Sequence, residues 1–140
     1  MFLIAFPLLL VPFVLYNIGA FIFGITDWNK PFTSVQIISG GEWGISIGDL
    51  LIAFTILILF AEVLKSTRIG TRTIVDHMLS MVIFIAMIVE FILVPRAATS
   101  TFFLLMVVAF VDVIGGFTIT IRTAQRNIEF QGADHIVPPT

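Results

Sequence analysis

The chain has 140 residues, 59% of them hydrophobic and 11% charged, with a mean hydropathy of +1.12 and a formal net charge of −2. A soluble domain is about a quarter charged, so charge this sparse cannot clothe a surface in water, and lipid must be the solvent for most of the chain. The charge balance excludes a basic nucleic-acid-binding face, and the lack of cysteine excludes disulfides, thiolate metal sites and a cysteine nucleophile.

Residues 1–25 form the first apolar run and read as a transmembrane helix. It is expected to be retained, not cleaved as a signal peptide. No Lys or Arg precedes it, it is longer than an ordinary h-region, and no small-residue cleavage motif follows. Pro12 is expected to kink it, by removing a donor and crowding the carbonyl of Leu8. Asn17, Ala20 and Gly24 fall at i, i+3 and i+7 and give it a small, polar packing face. Residues 26–45 read as an extracytoplasmic loop, long enough to let the first helix pack away from the others. Trp28 and Trp43 suit the interfacial aromatic belt.

Residues 46–65 read as the second transmembrane helix, opened by the capping-box spacing Ser46-Ile-Gly-Asp49. A link at 66–72 leads to the third, 73–95, where Thr73-Ile-Val-Asp76 repeats that spacing and Pro95 closes the helix. A short turn at 96–100 precedes the fourth, 101–122, with Thr99, Ser100 or Thr101 as its cap. Residues 123–140 read as an exposed tail. Links this short favour antiparallel neighbours, so the expected fold is all-α: an integral membrane protein, a four-transmembrane-helix antiparallel bundle in a single membrane domain.

Lys65, Arg68, Arg72, Arg122 and Arg126 lie on one side of these helices, and Lys30 and Arg96 on the other. By the positive-inside rule the first group is a cytoplasmic basic collar, and both termini are cytoplasmic in a multi-pass protein such as one of a bacterial inner membrane. Anionic headgroups would be attracted to the collar.

Ionisable groups inside a bilayer are costly and mark function by default. Asp112 falls near the middle of the fourth helix, with no Lys or Arg inside any apolar span to pair with it. The cost of a charge in hydrocarbon favours the neutral acid there, as a hydrogen-bond donor to a neighbouring helix. Ala109, Asp112, Gly116 and Thr120 share one face, so the bland alternative is a packing stripe with one buried hydrogen bond. Glu62 has Lys65 at i+3, and Glu90 lies at the depth of Arg96 and Asp49. Each reads as an ion pair that fixes helix order, or else Glu90, Asp112 and Glu62 form a descending ladder of proton-carrying carboxylates. His77, in the first turn of the third helix, and His135, in the tail, read as surface residues, which argues against an embedded haem ligand. Ser80 and Thr118 are expected to bond their own helix backbones.

No catalytic, metal or nucleotide-binding motif is present, so an enzyme is not expected. No cofactor is implied beyond bound lipid. The expectation is an accessory or structural subunit of a larger membrane complex, energy-transducing in type, with other transmembrane subunits as partners and no nucleic acid. The reason is that a buried acid without an internal counter-charge points to one supplied by a partner. The alternative is a small homo-oligomeric proton-coupled transporter or channel that uses Asp112.

Overall fold

Twenty residues in an α-helix cover about 30 Å, the thickness of the hydrocarbon core. Three helices meet or exceed that length: α2 (Ile47–Ser66), α3 (Thr71–Leu93) and α4 (Ser100–Ile136). All three are apolar enough to cross a membrane. The computed structural model describes residues 6–67 and 71–136, without the side chains of 71, 72, 123, 127, 130, 131 and 133–136. Among these residues the chain is mostly helical and compatible with an all-α membrane bundle, with one short two-stranded sheet added.

The first apolar helix is shorter than its sequence suggests. It comprises α1 (Leu10–Asn17) and a π-helical turn, Ile18–Ile22, together about 20 Å. Pro12 does not kink it, because the helix begins at Leu10 and Pro12 falls in the first turn, where an amide has no intrahelical partner anyway. Gly24, at φ +66°, then reverses the chain, and the Ile25 N–H returns to the Gly19 carbonyl at 2.9 Å.

The expected loop contains a hairpin instead. Strands β1 (Pro31–Gln36) and β2 (Glu42–Ser46) pair antiparallel, with a bulge between Pro31 and Thr33. Gly40, at φ +87°, supplies the left-handed residue of the tip. Ser46 ends β2 and caps α2 at once: its Oγ accepts from the Asp49 N–H at 3.1 Å, and Asp49 accepts from the Ser46 N–H at 3.0 Å. The second expected capping box does not form, since α3 begins at Thr71 and Asp76 is turned to Lys65.

Helix α4 is central and packs along both α2 and α3, while α1 touches all three. The sequential pair α2 and α3 approach each other far less, despite their short link. Tyr16 fixes α1 to the hairpin end of the bundle. Fully buried, it stacks on Trp28 at 4.4 Å and meets Phe102 edge-on at 4.9 Å. Its hydroxyl donates to the Arg96 carbonyl at 2.8 Å and lies 2.7 Å from Thr99 Oγ1, which also accepts from the Phe102 N–H to cap α4. Trp28 is therefore a core residue, 3% exposed, and only Trp43 is left at the surface. Helix α4 spans 37 residues, about 55 Å, so the expected tail is largely a continuation of the fourth helix. Its described residues beyond Thr120 are exposed, apart from Ala124.

Candidate functional site

The inward face of α3 changes character half-way along. Thr73, Asp76, His77 and Ser80, at i, i+3, i+4 and i+7, are all buried polar residues, and Met87 continues the face as core. Helix α2 brings Glu62, Lys65 and Ser66 to the same end, and α4 brings Asp112, Gly116 and Thr120. Glu62, Asp76 and Asp112 are each 1% exposed.

Lys65 is the hub. Its Nζ lies 2.9 Å from Asp76 Oδ2 and 3.4 Å from Glu62 Oε1, and it donates to the Phe6 carbonyl at 2.6 Å. The Leu8 N–H donates to Glu62 Oε1, so the segment leading into α1 covers this end of the cluster. The charges of Glu62, Asp76, Asp112 and Lys65 lie within one another's electrostatic range. Ser80 Oγ lies beside the Asp112 carboxyl but short of ordinary hydrogen-bond geometry, and both Asp112 oxygens, Glu62 Oε2 and Asp76 Oδ1 make no hydrogen bond. His77 is buried, not superficial. Its Nε2 lies 3.0 Å from Thr120 Oγ1, its ring packs on Phe117 at 5.4 Å, and Nδ1 is unpartnered. Among the described residues, no group of three or more His, Asp or Glu side chains is placed to hold a metal ion.

The ladder is only partly assembled. Glu62 and Asp112 come together, whereas Glu90 lies towards the hairpin end, accepting from Asn17 Nδ2 at 3.3 Å. Between them Leu9, Pro12, Phe13, Thr55, Met87, Leu105 and Ala109 pack with no room for a water molecule. Glu90 forms no ion pair with Arg96, whose guanidinium donates to the Ala20 carbonyl at 2.6 Å and sits over the Phe21 ring. Asp49 is held by its cap.

The packing faces fall largely within the chain. Ala109 and Ala20 are buried, and Gly116 lies so close to the His77 ring that a Cβ there would stand 2.5 Å from it. Gly24 leaves this pattern: it is exposed, with nothing near its missing Cβ, because its role is the chain reversal. The collar also thins. Lys65 turns inward, while Arg122 and Arg126 are exposed beside Gln125 and Glu129. Arg68 and the side chains of Arg72 and His135 lie outside the described residues. Thr118 bonds its own helix, at the Ile114 carbonyl, as expected, whereas Ser80 does not: its Oγ is turned to Asp112 and bonds no backbone carbonyl.

The sequence reading missed Asp76 and His77. The signal was their spacing with Thr73 and Ser80, which puts every polar residue from Thr73 to Leu93, apart from Glu90, on one stripe. Compared with protein-family models, curated proteins and solved structures, the chain matches none.

Proposed function

We propose that this chain is a proton-binding subunit of a larger membrane assembly of the energy-transducing kind. The observation that carries it is the burial of three carboxylates, Glu62, Asp76 and Asp112, around one lysine, Lys65, which pairs with the first two and leaves Asp112 without a partner among the described residues. Burying an unbalanced charge costs several kcal/mol per ion. Three carboxylates facing one lysine are therefore balanced by protons, held on the acids or on His77, and groups that hold protons there are groups that can pass them on. The Lys65 side chain, 17% exposed, gives the cluster its contact with solvent, and the closely packed side chains around Met87 lie between it and Glu90. The site thus exchanges protons with one side of the membrane, and the assembly supplies the rest of any path. The long exposed end of α4 supports a partner, since a helix of three or four turns is marginal alone in water.

In this proposal the chain crosses the bilayer four times. The stretch from Phe6 to Ile22 runs from Lys65 to Arg96 and forms the first crossing, and the Lys65 end, with both termini, faces the cytoplasm of a bacterial inner membrane. No residue is assigned a catalytic role. The apolar groove between α1 and α2, lined by Leu15, Gly19, Leu50 and Phe54 among others, is suited to a lipid acyl chain.

Solubilised from its native membrane in mild detergent, the chain should travel with stoichiometric foreign subunits. Asp112→Asn should leave that assembly intact and slow its proton-coupled activity about 100-fold, as expected for a lost proton-transfer group. Recovery of copies of this chain alone would replace the subunit by a homo-oligomeric transporter. Full activity in Asp112→Asn would remove the proton-binding role.

A further inference from the structure

The hairpin has two chemically different faces, and only one of them suits water. Directly paired residues of an antiparallel ladder project to the same side, and the side alternates along each strand. The pairs Thr33↔Ile45 and Val35↔Trp43 therefore share a face with Ile37, whose N–H extends the ladder to the Gly41 carbonyl at 2.8 Å. The other face carries Ser34, Gln36, Glu42 and Gly44, with Ser34 Oγ donating to Glu42 at 2.6 Å and the exposed Phe32 beside it at the bulge. Among the described residues nothing covers the outer part of the apolar face: Val35 is 48%, Ile37 49% and Trp43 53% exposed, and Ile45, next to α2, is half-buried. Glu42, the one charged residue of Pro31–Ser46, is on the polar side.

We infer that this hairpin lies flat on the bilayer, with Val35, Ile37, Trp43 and Ile45 sunk into the boundary between headgroups and acyl chains. Connectivity fixes its height. Ser46 belongs to both β2 and the cap of α2, so no linker separates the hairpin from the first residue of a membrane-length helix. The exposed apolar stripe of that helix, Ile47, Leu50, Phe54 and Leu57, starts directly after the cap. Upright, strands of this length would reach about 17–20 Å, well past a headgroup layer roughly 5–8 Å thick on each side. They would then hold Trp43 and Ile37 in water. Lying flat, the hairpin places its apolar face at the depth where amphipathic elements settle and tryptophan is enriched. A hairpin of two strands is marginal on its own, and lipid burial of one face stabilises it.

The test uses full-length protein in phosphatidylcholine vesicles. The chain has two tryptophans and no cysteine, so Trp28→Phe isolates Trp43. Lipids brominated near the top of the acyl chain should then quench Trp43 about twofold or more, and aqueous iodide should have little effect, as for an interfacial side chain. Because Trp28 packs on Tyr16, a second measurement leaves the core untouched: spin labels on Val35→Cys and, separately, on Gln36→Cys. The ratio of relaxation by oxygen to relaxation by a water-soluble nickel complex should be about twofold or more higher at 35 than at 36, following the strand alternation. Strong iodide quenching of Trp43, or equal ratios at 35 and 36, would put the hairpin in water and overturn the inference. Protection of Trp43 and position 35 from lipid and aqueous probes alike would show a protein on this face and overturn it equally.

Discussion

Lys65→Met should be the most damaging single change at the polar cluster, costing about 3 kcal/mol or more of stability. Removing one partner of a buried ion pair leaves its counter-charge uncompensated, at a cost of about 3–5 kcal/mol. Lys65 is the partner of both Glu62 and Asp76, whose side chains are 1% and 2% exposed. The Lys65 side chain is 17% exposed, and that solvent contact argues for the lower end of the range. The loss reaches α1 as well, because Lys65 holds the Phe6 carbonyl. The measurement is unfolding of the purified protein in mixed micelles, followed by circular dichroism. The double variant Lys65→Met/Asp76→Leu should recover part of the loss, since apolar residues that replace a whole buried pair are often tolerated. A single variant within about 0.5 kcal/mol of the parent, the range of an ordinary surface change, would show that Lys65 does not balance the cluster.

Gly116→Ala should cost about 1–3 kcal/mol, the usual result of overpacking a close contact. An added Cβ would stand 2.5 Å from His77 Cε1 and 2.8 Å from Nδ1. The ring cannot swing aside freely, because Nε2 is engaged with Thr120 and one face rests on Phe117. The neighbouring glycine is the internal control. A Cβ on Gly115 meets nothing within 4 Å, so Gly115→Ala should be neutral or stabilising by up to about 1 kcal/mol through helix propensity. Both variants are compared by the same unfolding assay. If His77 is the obstacle, adding His77→Ala to Gly116→Ala should cost less than the sum of the single changes, a coupling that a double-mutant cycle reads directly. Equal effects at 115 and 116 would contradict the packing described.

These two sites show what could and could not be read from the residues. The three long helices follow from length and apolarity alone, and the α2 cap from Ser46 and Asp49, because both signals are local in the chain. The short α1 was not legible. Apolar composition continues through Gly24 and Ile25, and only the tertiary contacts of Tyr16 and Ala20 show where the helix gives way. The hairpin was hidden by its mixed composition: alternation in Thr33–Ile37 spans too few residues to outweigh a loop reading, and the pairing partner lies beyond the tip.

At the site, Glu62 and Asp112 were found because an acid in an apolar run is conspicuous. Asp76 and His77 were passed over because they sit near a helix start, where a capping or surface role is the commoner explanation. Lys65 was read both as a topological charge and as the partner of Glu62, a pair the structure contains at 3.4 Å, but its contact with Asp76 was not foreseen. What sequence lacks is the rotation of each helix about its axis, and that rotation turns Lys65 inward to Asp76, close to Asp112. Glu90 failed in the opposite sense: similar depth to Arg96 suggested a pair, but Asn17 and the Ala20 carbonyl take the two groups instead.

In the proposed function, the cluster of Glu62, Asp76 and Asp112 holds an exchangeable proton. Infrared difference spectroscopy of the protein in lipid, through a step from low to high pH, tests it most directly. The account predicts loss of a carbonyl-stretch band from a protonated carboxylic acid, diminished in at least one of Glu62→Gln, Asp76→Asn and Asp112→Asn, and unchanged in Glu90→Gln. A spectrum with no such band, or one that none of the three cluster variants alters, would contradict it.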